Sequence, residues 1–394
     1  MGTGKTLAAI NFINSSSDDC HFLYITQYLD EVQRIIKSCP AKNFQEPQSL
    51  PTKKANIKRL LEKGCNIAST HALFQDFTLE IADICRAQNY ILIMDEVADV
   101  VKPYELPPIE VKNLLNNFAV VDPVTNMLRW REDKLNYTYK RFNCEYSLCE
   151  METLFAYSDT VLLWLFPVKI FEAFTDVYIL TYMFDCQLQG YYFKQFNVDY
   201  KYISVAGDAP YNYHFIDQPF ANLHPKYNYQ ELIHVFNDDK INRLGDDQYA
   251  LSKAWYKRNE SNINMKQLRN NTRNFFEHRT RTPSSQNMWT TFIKYRPLVK
   301  SKPYSTGFVS LNMRASNSYR QKTAIAYLIN RYMNTILKNF LNNQGIEIDE
   351  DAYALSEMLQ FLWRSAIRDG KPIDVYIPSS RMRKLLLDWI SNIC

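Results

Sequence analysis

Between residues 5 and 95, short apolar runs alternate with amphipathic runs of helix length, and this alternation constrains the fold more than any other feature. Lys5–Asn14 has a helical pattern, and His21–Thr26 (HFLYIT) reads as a short apolar strand. Tyr28–Cys39 is again helical, with apolar residues at 29, 32, 35 and 36. Thr52–Lys63 forms a basic amphipathic helix, Asn66–Ser69 a short strand, Leu79–Ala87 a helix, and Tyr90–Met94 (YILIM) a fully apolar strand. A hairpin needs only a tight turn, whereas strands joined by helices of about ten residues build β-α-β units. The expected fold class is therefore α/β, with a parallel sheet covered on both faces.

The remainder is less regular. Residues 101–150 are richer in Pro, Asn and charge, which predicts an insertion with a hairpin around Pro123–Asn126. A helix bent at Pro167 is expected over Ser158–Thr175, then a buried strand at Val177–Thr181. The aromatic-polar alternation after Asp185 (GYYFKQFNVDYKYISV) predicts strands. A basic, Asn-rich insertion spans about 237–305, followed by long helices at Tyr319–Asn342 and Asp351–Arg368, a strand at Ile373–Ile377 and a helix at Ser380–Ile393. A chain of 394 residues exceeds one core. The predicted domains are an N-terminal lobe, 1–186, and a C-terminal lobe, 187–394.

Charge separates these halves. Residues 1–186 carry 18 basic and 24 acidic side chains, and residues 251–340 carry 17 basic and 2 acidic ones. An acidic first half joined to a strongly basic second half points to a polyanionic partner. Aromatic residues interleave the cations (Trp255, Tyr256, Phe275, Phe276, Trp289, Phe292, Tyr295, Tyr304), a pattern suited to phosphate tracking with base stacking. Eight scattered cysteines without a C-x-x-C pair argue against a disulfide framework or a zinc site and for a reducing, cytoplasmic setting. The most apolar stretch, Val161–Phe184, is interrupted by Pro167, Lys169, Glu172 and Asp176, so no membrane association is expected.

Two motifs carry chemistry. The chain opens Met1-Gly2-Thr3-Gly4-Lys5-Thr6, the second half of G-x-x-x-x-G-K-[ST], and runs directly into a helix. Gly2, Thr3 and Gly4 would turn backbone N–H groups around phosphate oxygens, with the helix N-terminus adding its dipole. Lys5 would reach the β- and γ-phosphates of ATP, and the Thr6 hydroxyl would bind Mg²⁺. The loop's first glycine and the strand feeding it would precede Met1, so the expectation is a phosphate-binding loop truncated at its N-terminus and a lobe lacking its first strand. The second motif is the apolar strand ending Met94-Asp95-Glu96. It puts Asp95 at the sheet's C-terminal edge as a metal ligand and Glu96 beside it to activate water.

With these motifs the chain resembles the superfamily-two (DEAD/DEAH-like) helicases and translocases, in a form typical of phages or mobile elements. Asp95-Glu96-Val97-Ala98 resembles their D-E-A-D box. Ser69-Thr70-His71 is similar to a segment that touches the nucleic-acid backbone, and Leu180-Thr181-Tyr182 stands where the family has S-A-T, which couples hydrolysis to strand binding. The stretch Gln360 to Gly370 resembles Q-x-x-G-R-x-x-R, with Trp363 in place of glycine and one extra residue between Arg364 and Arg368. On one continuous helix, Gln360, Arg364 and Arg368 would share a face. Thr306–Asn317, including Arg314, resembles more loosely a motif that binds nucleic-acid backbone.

The resemblance implies two RecA-like lobes with an ATP cleft between them. Catalysis would rest on Glu96, Gln360 and either Arg364 or Arg368, with ATP and Mg²⁺ as cofactors. The partner would be nucleic acid, DNA rather than RNA, and the activity ATP-dependent movement along it. Two alternatives share part of the pattern: a helicase-like binding scaffold without turnover, and a packaging-type DNA motor ATPase.

Overall fold

A computed structural model describes residues 4–134, 140–207, 212–218, 227–311 and 317–393. The chain divides into two compact units, an N-terminal one of residues 4–219 with 334–348 and a C-terminal one of residues 220–333 with 349–394.

The N-terminal unit opens with α1 (Lys5–Ser15), β1 (His21–Thr26), α2 (Leu29–Ser38), α3 (Lys53–Glu62), β2 (Ile67–Thr70), the one-turn α4 (His71–Phe74), α5 (Leu79–Ala87) and β3 (Tyr90–Asp95). Its main sheet has the order β2-β1-β3-β9, all parallel, with β9 at Asp176–Leu180. β1 and β3 are central and buried almost throughout, as their uninterrupted apolar runs require. Ala9, Ile13, Phe22, Tyr24, Ile35, Ile91 and Ile93 fill one side of this sheet.

Between β3 and β9 lies the expected insertion. It comprises β4 (Val101–Tyr104), α6 (Pro108–Asn117), β5 (Ala119–Val121), β6 (Leu128–Trp130), α7 (Asn143–Glu150), β7 (Leu154–Ser158) and β8 (Val161–Leu165). The predicted hairpin is β5–β6, where the Asp122 carboxylate accepts the N–H groups of Val124 and Thr125 and Asn126 turns with φ 60°. The bent helix expected over 158–175 is not there. VLLWL instead forms β8, sandwiched antiparallel between β4 and β7, and a 3-10 segment follows at Val168–Ala173. Short apolar runs suit a buried strand as well as a helix, and here strand partners decide the matter.

The unit continues through α8 (Leu188–Gln195), β10 (Ser204–Ala206) and β11 (His214–Ile216). The expectation of strands directly after Asp185 is thus corrected to a helix. Its Tyr191, Tyr192 and Phe193 are consecutively buried, which a half-exposed strand does not permit. The β10–β11 hairpin packs on α1, with Phe215 stacked on Tyr178 at 5.6 Å, and keeps residues beyond 186 in this unit.

The C-terminal unit contains α9 (Tyr229–Leu232), β12 (Ile233–Phe236), α10 (Asp239–Asn242), α11 (Lys253–Asn259), α12 (Ile263–Asn274), a π-helical turn at Phe275–Thr280, β13 (Asn287–Thr290), α13 (Arg296–Val299) and β14 (Ala324–Tyr327). The sequence then passes through α14 (Thr335–Asn343), which belongs to the N-terminal unit, and returns for α15 (Glu350–Leu362), β15 (Ile373–Tyr376) and α16 (Ser380–Ile393). The sheet order is β12-β15-β14-β13, again all parallel. The single helix expected over 319–342 is corrected to β14 followed by α14, because Ala324–Tyr327 is drawn fully buried between β13 and β15. Each unit is therefore built on a four-stranded parallel sheet, as expected for two α/β lobes. No helix among the described residues is long and apolar enough to cross a membrane.

Candidate active site

β3 delivers the acid pair. Five buried residues bring the chain to Asp95 at the strand's C-terminal end, and Glu96 then takes a left-handed backbone with φ 71°. Glutamate is seldom found in that conformation, so the turn is held by its surroundings. Register explains the neighbours: Asp95 lies opposite Leu180 of β9, which puts Thr181 beside Glu96. The Thr181 hydroxyl donates to Glu96 Oε2 at 2.9 Å.

Asp95 faces the start of α1. The Thr6 hydroxyl lies 3.4 Å from Asp95 Oδ2, and the buried Tyr24 phenol on β1 approaches the same oxygen at 3.4 Å. His71, the first residue of α4, donates from Nε2 to the Asp95 carbonyl at 3.1 Å. Burial raises the Asp95 carboxyl from 3.8 to about 6; the Glu96 charge adds to the rise, and the Lys5 ammonium opposes it. Burial, with the Asp95 and Glu31 charges, pushes the Tyr24 phenol well above its ordinary 10.

Gly4 caps α1 in the left-handed region with φ 81° and, as a glycine, offers the helix no side-chain cap. The Tyr213 ring lies so close to Gly4 that a Cβ there would come within 2.6 Å of it, so only glycine fits. Thr70 ends β2 in register with Thr26. Gly4, Lys5, Thr6, Thr70, Asp95, Glu96 and Thr181 thus belong to one unit, and its sheet gathers Thr6, Asp95, Glu96 and Thr181. Gly2, Thr3 and Arg314 lie outside the described residues.

The C-terminal motif departs from its expected form. α15 ends at Leu362, with Trp363 as its C-cap, so Gln360, Arg364 and Arg368 do not share one helical face. Trp363 explains the break. It is buried, packed edge-on against Tyr229 at 5.2 Å and Trp389 at 5.5 Å, and it anchors a core where the family motif has glycine. Arg364 is 4% exposed and donates from its two terminal nitrogens to the carbonyls of Ser310 (2.9 Å) and Leu311 (2.8 Å). Gln360 on α15 and Arg368 in the following 3-10 turn are half-buried.

The aromatic residues of the basic region are not stacking platforms. Trp255, Tyr256, Phe275, Phe276, Trp289, Tyr295 and Tyr304 form one buried cluster, with Phe292 packed against it. On α11 the partition is explicit, since Trp255, Tyr256 and Asn259 are buried while Lys253, Lys257 and Arg258 are exposed. Burying each such ring contributes about 2–3 kcal/mol, comparable with the roughly 1–3 kcal/mol that stacking on a base returns.

Tyr24, Gln187 and Gln189 are absent from the motif-based set. A phenol inside the apolar run HFLYIT was a legible signal for Tyr24, whereas the glutamines bear on the acid pair only through tertiary contacts. Gln187 Nε2 donates to Thr181 Oγ1 at 3.0 Å, and Gln189 Oε1 accepts the Ala98 N–H at 2.8 Å.

Two parallel-sheet lobes, one with a Gly-Lys-Thr helix start beside a strand-terminal acid pair, define a two-lobed α/β protein. Residues 227–390 match the family described as the YonV C-terminal Rossmann-like domain. Over 403 aligned residues the chain is 36% identical to the "SPbeta prophage-derived uncharacterized protein YonV" of Bacillus subtilis strain 168, spanning 100% of this chain and 97% of the relative. The chain belongs to the YonV family. Among solved structures it is similar to S. tokodaii Xpd4 (TM-score 0.46, 11% identity, 98% of this chain and 92% of that one). It is likewise similar to an XPD helicase (TM-score 0.46, 10% identity, 98% and 93% coverage).

Proposed function

We propose that this protein is a helicase-type nucleoside triphosphatase that moves on nucleic acid, with ATP and Mg²⁺ as cofactors. The observation that carries the reading is the placement of the Thr6 hydroxyl 3.4 Å from the Asp95 carboxylate, at the head of a glycine-capped helix. A hydroxyl and a carboxylate at that spacing fit the shared coordination of a hard cation, and the uncapped N–H groups of α1 fit phosphate oxygens. Lys5 and Gly4 would bind phosphate, and Thr6 and Asp95 would hold the metal. When bound, magnesium–nucleotide supplies charge neutralisation at the transferred phosphoryl group. Glu96, oriented by Thr181, takes the proton of the attacking water on its carboxylate.

The exposed cations of the C-terminal unit support contact with a phosphate backbone, and contact with phosphates is tolerant of sequence. Arg368 is the better placed of the two arginines to meet a phosphate, since Arg364 is committed to backbone carbonyls. The prophage-derived relative supports a phage or mobile-element setting; DNA as the strand and the host-cell cytoplasm as the site of action complete the proposal. A binding scaffold without turnover is the second reading, favoured by the burial of Arg364. The test is ATP hydrolysis with and without single-stranded DNA. Lys5→Ala and Glu96→Gln should each abolish stimulated hydrolysis and leave strand affinity largely intact, and unchanged turnover in either variant refutes the reading.

A further inference from the structure

Two glutamines at the start of α8 grip the turn that carries the acid pair. Gln187 is 3% exposed and occupies the N-cap of α8, yet its side chain makes no cap bond with its own helix. It reaches back instead, donating to Thr181 Oγ1 at 3.0 Å and to the Tyr182 carbonyl at 2.5 Å, and Thr181 in turn donates to Glu96. Gln189 is fully buried and accepts the Ala98 N–H, while its own Nε2 has no partner among the described residues. A buried, half-satisfied amide costs stability, so its retention calls for a reason. Here the reason is the turn: residues 96–98 leave β3 through the left-handed Glu96, and the glutamines hold that turn at both ends. Gly190 permits the arrangement, because a Cβ there would lie 2.1 Å from the Phe184 carbonyl.

What α8 packs against gives the grip a further meaning. α14 contacts α8 and β4 and buries Leu337, Phe340 and Leu341. In sequence α14 lies between β14 and α15, so the chain on either side of it runs directly into the C-terminal unit.

We propose that Gln187 and Gln189 are positioning residues for Glu96 and its turn, and that α14, seated on α8, supports their grip. The catalytic consequence rests on the nucleotide-hydrolysis reading; the mechanical claim does not. In the full chain, amide exchange across residues 95–100 is compared for wild type, Gln189→Met and Phe340→Ala. Exchange at Ala98 should accelerate about fivefold to tenfold in Gln189→Met. It should also accelerate in Phe340→Ala, or in Phe340→Leu where the alanine form fails to fold, with β1 unchanged. Wild-type exchange at Ala98 in either variant overturns the proposal. In ATP turnover, Gln187→Met should lower kcat about tenfold with KM unchanged, counted per folded molecule with wild-type amide exchange in β1 as the measure of folding, because loss of folded protein would by itself lower the apparent kcat. Retained kcat overturns the role of Gln187. A wild type without turnover refutes the nucleotide reading alone and leaves the exchange data to decide the grip.

Discussion

Replacing Asp95 with asparagine should make the N-terminal unit more stable above neutral pH. Asp95 ends the buried strand β3 beside Glu96, and its carboxyl is raised from 3.8 to about 6 by burial first and the neighbouring charge second. The folded state therefore binds this proton more tightly than the unfolded chain does. The stability from the neutral form is fully present below about pH 4 and is lost as pH rises through about 6. At about 1.4 kcal/mol per unit, keeping the ionised group folded at pH 8 costs up to about 3 kcal/mol. Asparagine removes that cost and keeps an oxygen for the hydroxyls of Thr6 and Tyr24, which are too distant at 3.4 Å to contribute much. Pulse proteolysis in urea, following cleavage within residues 4–219, should show the Asp95→Asn variant gaining up to about 3 kcal/mol at pH 8 and only about 1 kcal/mol at pH 4.5. An equal difference at both pH values, or a loss of stability at pH 8, would refute this account of the acid pair.

Two further outcomes follow from the C-terminal unit. Arg364→Ala should destabilise that unit by about 2–4 kcal/mol, because it empties the buried space of the guanidinium and takes the donors from the half-buried carbonyls of Ser310 and Leu311; a shift in urea midpoint confined to this unit is the measurement. Lys257→Ala with Arg258→Ala should weaken single-stranded DNA binding and lower the salt slope by about one to two, with no sequence preference, in titrations across salt concentrations. Affinity that instead ignores salt would point away from phosphate contact.

Chain order and periodicity made much of the frame legible. The alternation up to Met94 required parallel strands joined by helices, and β1, β2 and β3 form where their apolar runs lie. Asp95 and Glu96 were readable because an apolar strand that ends in two carboxylates must bring them to the sheet edge. The runs at Val161–Leu165 and Ala324–Tyr327 were not readable in the same way. Both are too short to distinguish a buried strand from a helical turn until a partner strand supplies hydrogen bonds. The C-terminal arginines failed as a helical stripe for a related reason, since Trp363 ends α15 to complete a core with Tyr229 and Trp389.

By itself the sequence determined the strand-helix alternation, the Gly-Lys-Thr helix start, the acid pair and the basic bias of the second half. These depend on local periodicity, on residue type and on charge, all of which are properties of neighbours along the chain. Only the tertiary structure decided that the rings of the basic region are core, that Arg364 serves backbone carbonyls, and that Gln187 and Gln189 hold the turn after Asp95. Each of those outcomes sets burial against exposure for groups distant in sequence, and that balance exists only once the sheets have brought them together.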